Sequence, residues 1–540
     1  MIEFEHKLPS MNIDGKHNGT YNNRELGFPS VLTTTDPKLG VFMHMLRSNI
    51  YEDRAIVFID GQFFMCNKNW IRDHVHVMKA MRHWEYDLEG FLNFIIDTQR
   101  EDGQFYELIK QYDDYHWKMV NEDCRVMYPD DNLTLVRLEL EADVEYLVVE
   151  GSVYLYKITG DDEWLKKVLP KLEKSIDYMT SDEKRWDKEH GLVKRPFTID
   201  TWDFTYDTDS HNRKIEENTP MSIMHGDNSG VYQAMNQLAW FNRRLGNEEK
   251  AKSWEARAEK IRENMFKYLW NGSFFIHQLH LNHKGADDLE QKRLSLSNTY
   301  DMNRGVTDLA QSRKIIEEYM RRRETTSYFA EWFSIDPPYD TFIYHKAGKY
   351  VNGAISPFTA GELAKAAFNN GYEEYGWDIV QRFMKLAERD NTVYFLYYTD
   401  SRPQPELGPS AWGAAAIISA IDEGLAGIND MGVRYDNIYF APRFPVTYYT
   451  ELRYITGYEK TKTVVDVRYI LKDGGMRYDI YSPANALTAH ILLPRDKKCS
   501  EVFAGGKKIE FKTSVVGNSN YVDFEINDNK GEKISIEILF

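Results

Sequence analysis

Cysteine, long apolar runs and basic stripes are scarce in this chain, and each shortage narrows what it can be. Cys66, Cys124 and Cys499 are the only three cysteines in 540 residues. They are odd in number and far apart, so neither a disulfide framework nor a zinc spacing follows. No run of about 18 apolar residues occurs, which gives no reason to expect a membrane span. The opening residues, MIEFEHKLPSMNIDGKHNG, carry no apolar signal core. A reducing, cytoplasmic location is therefore the expectation. A net charge of −17 without a basic stripe argues against nucleic acid or an anionic membrane as partner. The phosphate loop, the HExxH zinc signature and the nucleophile elbow are all missing, so no metal or cofactor is expected.

Aromatic residues are plentiful, at 14% with 12 Trp and 35 Tyr, which suits stacking on sugar faces and equally a large core. The most informative stretch runs from Asn69 to Phe105. It opens on Trp70-Ile71-Arg72-Asp73, continues with Val75, Met78, Met81, Leu88, Phe91, Leu92 and Ile95 at helical spacing, and closes on Gln99, Asp102 and Gly103. A planar guanidinium and a carboxylate at the mouth of a helix can bind several hydroxyls of one sugar, while an indole covers its apolar face. A buried ion pair capping the helix would carry the same residues.

Residues 1–65 are mixed, with a strand-like Ala55 to Ile59, and are expected to pack on a barrel formed by residues 66–430. That barrel region reads as helix after helix. Val144, Leu147, Val148, Gly151, Leu155 and Ile158 share one face, and Trp164, Val168, Leu169 and Leu172 start the next helix. Further helices are expected over Val231 to Leu245, Ala251 to Trp270, Gly361 to Asn370 and Trp377 to Ala387. Ala411 to Gly424 is rich in small residues, as a closely packed inner helix would be. Units recur about every 50 to 80 residues, a spacing that fits helical hairpins in a toroid. After Gly427-Ile428 the composition turns to β-rich runs at Thr463 to Tyr469, Met476 to Tyr481, Thr488 to Leu493 and Ile534 to Phe540. The expected fold is mainly α, an (α/α)6 toroid with a C-terminal β-sandwich over residues 431–540.

The order W-x-R-D, helix, helix, Q-x-x-D-G resembles the first hairpin of the (α/α)6-barrel glycoside hydrolases. The glucoamylase-type family 15 enzymes are nearest and the trehalase/family 63 enzymes next. The resemblance implies that Arg72 and Asp73 bind the terminal sugar, with Trp70 beside them. Trp202-Asp203-Phe204 is similar to the W-D-F of trehalases, which implies Asp203 as general acid with Trp202 against it. Rings beside that carboxyl would raise its pKa towards the working range. Asp200 is the local rival. His225, Asp227 and Asn228 stand where the related enzymes carry a sugar-lining D-x-N element, although helix capping explains them equally. Lys349 to Phe358 resembles the Y-x-N-G loop, implying that Asn352 holds a hydroxyl through its amide, or simply forms a turn.

Tyr394 to Tyr398 and then Glu406 to Trp412 resemble the closing signature of the trehalase/family 63 group. There an F-x-E-Y-Y element supplies the base, and Leu396 stands in its place here. The base is assigned to Glu406, in the loop before Trp412, which is placed with the substrate-binding residues. Glu331 and Asp400 follow Glu406 in order. The expected activity is an inverting, exo-acting glycosidase using an acid Asp and a base Glu. Its partner is an oligosaccharide or small glycoside, with self-association left open. An (α/α)6 phosphorylase or epimerase, or a non-catalytic sugar-binding protein on a hydrolase scaffold, is the alternative.

Overall fold

Helices α1 (Pro37–Glu52), α2 (Ile71–Met81), α3 (Glu89–Asp97), α4 (Val144–Thr159), α5 (Asp162–Met179) and α6 (His225–Arg244) alternate along the chain with short strands and turns. They are followed by α7 (Glu248–Tyr268), α8 (Ser297–Asn303), α9 (Leu309–Thr325), α10 (Pro357–Asn369), α11 (Glu373–Asp390) and α12 (Ala411–Ser419). The structure is a computed structural model that describes residues 31–111, 124–200, 215–282, 289–527, 531 and 533–540. None of the helices among them is long and apolar enough to cross a membrane.

The even-numbered helices make a closed ring: α2 packs on α4, α4 on α6, α6 on α8, α8 on α10, α10 on α12, and α12 returns to α2. Of the odd helices, α5 lies against both α4 and α6, and α9 against both α8 and α10. Sequence follows position. In α12 every residue is buried, because neighbours press on it from all sides. Helix α5 instead buries one stripe, Leu165, Val168, Leu169, Leu172 and Ile176, and is started by Asp161, whose carboxylate accepts from the Glu163 and Trp164 amides. Helix α6 begins at His225, six residues before the expected Val231, because small residues in its first turns let the ring close over them. At Gly230 an added Cβ would lie 2.5 Å from the Tyr146 ring of α4.

Helices α2 to α12 belong to one compact unit, residues 49–82 and 87–420; a second, which takes in most of α1, comprises residues 1–48, 83–86 and 421–540. In the second, Thr33–Thr34, Glu451–Tyr458, Thr463–Lys472, Gly475–Tyr481, Ile534–Leu539, Glu501–Ala504 and Lys507–Ile509 form one sheet in that order. A five-stranded sheet runs Ile428–Asp430, Asn437–Phe440, Ala486–Leu492, Ser519–Asn527, Lys512–Val516. Burial along Thr463–Lys472 alternates residue by residue, as a strand with one covered face requires. Residues 31–48 go with these strands and not with the helical ring, since Thr33–Thr34 pairs with Ile455 and Tyr454.

The tightest point of the ring is Gly361, where a Cβ would meet the Ala416 carbonyl carbon of α12 at 2.4 Å. Gly361→Ala should therefore cost about 1–3 kcal/mol through overpacking, seen as a lower urea midpoint at constant m-value. A variant as stable as the parent would show that the two helices do not need this contact.

Candidate active site

One outer helix returns the chain between successive inner ones, so the inner helices run in the same sense and open their N-termini on one face. The site is built there. The Ile71 amide donates to the Glu107 carbonyl at 2.7 Å and the Ile109 amide to the Asn69 carbonyl at 2.9 Å, which fixes the entry to α2. Arg72 then reaches across to α4: Nε and Nη2 donate to Asp143, and Nη2 also donates to Glu141. Glu141 lies 3.8 Å from Arg195, and Arg195 lies 3.5 Å from Asp227 in the first turn of α6. The result is a chain of alternating charge, Asp143–Arg72–Glu141–Arg195–Asp227, across the heads of three inner helices. Behind it Arg137 donates to Glu107 at 3.0 Å and to Glu145 at 3.2 Å.

Burial alone would weaken Arg72's hold on its proton, but Asp143 and Glu141 outweigh it and keep the guanidinium charged. Asp73, half-exposed in the first turn of α2, is not the partner of Arg72. No other described residue hydrogen-bonds to its carboxylate, and burial, opposed by Arg72 and Lys68, pushes it up to about 6. Asp227 is fully buried, and neither of its oxygens accepts a hydrogen bond from a described residue. Burial again, helped by Asp143 and Asp200 and opposed by Arg195, pushes it up to about 6.

Beneath these groups the ring has a floor, to which each inner helix contributes one residue: His76, Tyr146, Gly230, Tyr300, Phe358 and Trp412. His76 stacks on Trp412 with centroids 4.1 Å apart and meets Tyr300 edge-on at 5.5 Å. Arg304 lies 5.1 Å over Tyr146 and 5.3 Å over Tyr300. A further buried layer ties α2, α8 and α10 together, where Glu362 accepts from Lys79 at 2.5 Å and from Asn303 at 2.7 Å.

Several residues expected in the sugar site are spent elsewhere. Trp412 is sandwiched between His76 and Phe358, and its indole N–H donates to Tyr300 at 2.9 Å, so neither face is open. Asn352 uses its amide on the Tyr339 amide and the carbonyls of Tyr339 and His345. Asn228 accepts from the Val193 amide and donates to the Val193 and Met224 carbonyls, and neither it nor Asp227 caps α6. His225 is clamped between Asp301 at 2.6 Å and Ser295 at 2.8 Å. Glu331 is fully engaged by Tyr375 and both terminal nitrogens of Arg382. Asp400 is exposed and pairs with Arg402. Glu406 is exposed on the turn Pro405–Leu407. Trp70 stays half-buried, with Arg72 and Lys110 5.8 and 5.7 Å from its ring. Trp202 and Asp203 lie outside the described residues. Asp200, just before them, accepts from the amide and hydroxyl of Ser297 at the head of α8, and its own amide donates to His277 at 2.9 Å.

Glu141, Asp143 and Arg195 were not singled out from the sequence. The signal available was the alternation Arg137-x-Glu139-x-Glu141-x-Asp143-x-Glu145 just ahead of an apolar helix. Among the described residues no group of His, Cys, Asp and Glu could hold a metal ion.

Residues 73–402 match the model of the mannosylglycerate hydrolase MGH1-like glycoside hydrolase domain. The chain belongs to that family. The motif-level resemblance to six-hairpin glycoside hydrolases is thus borne out. No curated protein matches this family member by sequence. Its fold is similar to a GH78 family rhamnosidase of Bacillus sp. GL1, at 14% identity and TM-score 0.59, covering 86% of this chain and 43% of that one. An α-L-rhamnosidase from Dictyoglumus thermophilum gives 13% identity, TM-score 0.57 and coverages of 93% and 49%. The GH63 mannosylglycerate hydrolase from Thermus thermophilus in complex with Tris gives 13%, 0.50, 71% and 100%. The MGH1-like chain therefore spans less than half the length of these rhamnosidases.

Two outcomes follow from the charge chain. Arg72→Met leaves Glu141 and Asp143 buried without their main cation and should cost about 3–5 kcal/mol in denaturant unfolding; a loss under one would mean the carboxylates find water. Asp227 is the second case. Its folded-state pKa is raised from 3.8 to about 6, so its contribution to stability is complete below 3.8 and is lost as pH rises through 6. Asp227→Asn should thus gain up to about 3 kcal/mol over the parent above pH 6 and nothing near pH 3.5. A pH-independent difference between the two proteins would contradict this.

Proposed function

We propose that this chain is an inverting, exo-acting glycosidase that removes one terminal sugar from small glycosides. We read the helical ring as a six-hairpin toroid and the strands after Gly427 as its accompanying β-sandwich. The observation that carries the activity is Asp73, a carboxyl with no hydrogen-bond partner among the other described residues, beside the anchored Arg72 and set above a floor that closes the ring. We read that floor as the closed end of a pocket. A pocket closed at that end would take the end of a molecule, which is why we read the activity as exo-acting. The family name makes mannosylglycerate the first substrate to try.

In this reading Asp203 gives its proton to the leaving oxygen as the glycosidic bond breaks. Glu406 takes a proton from the water whose oxygen bonds to the anomeric carbon from the opposite side. Support for Glu406 is positional: Leu407, next to it, packs against the cluster holding Tyr300, Phe358 and Trp412, and Gly408 leads straight into α12. Leu396 favours a second reading, a sugar-binding protein without turnover, because it is buried in that same cluster where the resemblance has the base.

Release of free sugar from mannosylglycerate and from aryl mannosides, glucosides and rhamnosides decides between the two readings. Turnover with the anomer inverted in the first-formed product, followed by NMR, is expected. Asp203→Asn should lower kcat by at least about 10²- to 10⁴-fold on substrates with poor leaving groups and less on aryl glycosides. Glu406→Gln should damage both alike. Sugar that binds and is never released from any glycoside would leave the second reading standing.

A further inference from the structure

An aromatic strip runs from the floor cluster out to the surface. Thr341–Phe342 and His345–Lys346 form a tight hairpin in which Phe342 faces His345, leaving Ile343 and Tyr344 as its two-residue loop. Two-residue loops favour Asn and Gly, because they need left-handed backbone. Here β-branched Ile343 takes that conformation at φ 56°, a strained choice of the sort that persists only when surroundings impose it. The surroundings are apolar: Ile343 packs on the cluster of Ile199, Ile335, Phe342 and Val351. Burying Ile343 turns Tyr344 outward, and Tyr344 is 66% exposed.

The rings then run inward. Tyr344 and His345 have centroids 4.3 Å apart, and His345 and Tyr350 4.8 Å. Tyr350 in turn packs on the cluster that contains Phe358 and Trp412 of the floor. The strip is held rigidly. Asn352 donates to the His345 carbonyl at 3.0 Å, and the Tyr350 amide donates to Gln404 at 3.1 Å. Burial, then Lys349, holds His345 below its ordinary pKa, so the ring in the middle is an uncharged, flat surface at neutral pH.

We propose that Tyr344, His345 and Tyr350 form the leaving-group subsite, taking the flat face of a ring carried on the far side of the scissile bond. The inference rests on the glycosidase reading above and adds to it the class of leaving group: a glycoside whose aglycone is itself a ring, aromatic or sugar, in place of the acyclic glycerate of mannosylglycerate. Aromatic faces bind either through their apolar CH or π surfaces, and one well-placed contact changes affinity about 3- to 10-fold.

Hydrolysis-resistant thioglycosides test this without turnover. Calorimetry would compare methyl, phenyl and thio-linked disaccharide 1-thiomannosides on the full chain and on Tyr344→Ala and Tyr344→Trp. The wild type should bind the ring-bearing ligands more tightly than the methyl one. Tyr344→Ala should cut that preference about 3- to 10-fold, and Tyr344→Trp should keep it. Loss for the phenyl ligand alone would mark an aromatic aglycone, and loss for the disaccharide alone a sugar. An undiminished preference in Tyr344→Ala overturns the subsite while leaving the pocket intact. A wild type that binds none of the three overturns the glycosidase reading, and this inference with it.

Discussion

Arg72 donates to Glu141 and Asp143 where α2 and α4 begin, and nearly everything in the candidate site is placed by that arrangement. A guanidinium so little exposed has to meet carboxylates, and carboxylates buried as Glu141 and Asp143 are have to meet a cation, so neither side of the contact can be altered alone. The partners are more than sixty residues apart in sequence, so the contact exists only when the ring is closed. It ties formation of the site to formation of the fold. Arg195 extends the same logic to α6 by standing between Glu141 and Asp227.

The location of this network is itself a consequence of chain geometry. Inner helices that run in one sense direct their unsatisfied amides, and the positive ends of their dipoles, to one face. Carboxylates gather there at lower cost than elsewhere in the protein: Asp73 and Asp227 occupy first turns, and Asp143 precedes the first residue of α4. Desolvation works the other way and lifts Asp73 and Asp227 towards neutrality. The balance leaves Asp73, the more exposed of the two, able to meet a sugar hydroxyl as acceptor when ionised and as donor when protonated. His76, Tyr300, Phe358 and Trp412 pack on one another as a buried layer that joins α2, α8, α10 and α12.

Local pattern carried the sequence reading as far as local pattern reaches. The period-3.6 runs through Val144 to Ile158 and Trp377 to Ala387 are helices, and the alternating runs after Thr463 are strands, because each signal lies within one element. Trp70-x-Arg72-Asp73 reads as the entry to a helix, and α2 begins at Ile71. What it could not reveal was that Arg72 turns away from its neighbour Asp73 towards residues sixty-nine and seventy-one positions on. Trp412, Asn352 and Asn228 show the same limit. An indole or an amide in a loop signature reads as a binding group until the fold shows that its faces and hydrogen bonds are already used. Glu331 reads as a spare carboxylate in sequence and is committed to Arg382 and Tyr375 in space.

Crystals of the protein soaked with mannose would test the central claim most directly. A sugar ring seated above the His76–Trp412 floor, with hydroxyl oxygens within about 3.2 Å of the Asp73 carboxylate and the Arg72–Glu141–Asp143 contacts unbroken, is the result the account predicts. Mannose bound away from the heads of the inner helices, or a ring that reaches the site only by displacing Arg72 from its carboxylates, would contradict it.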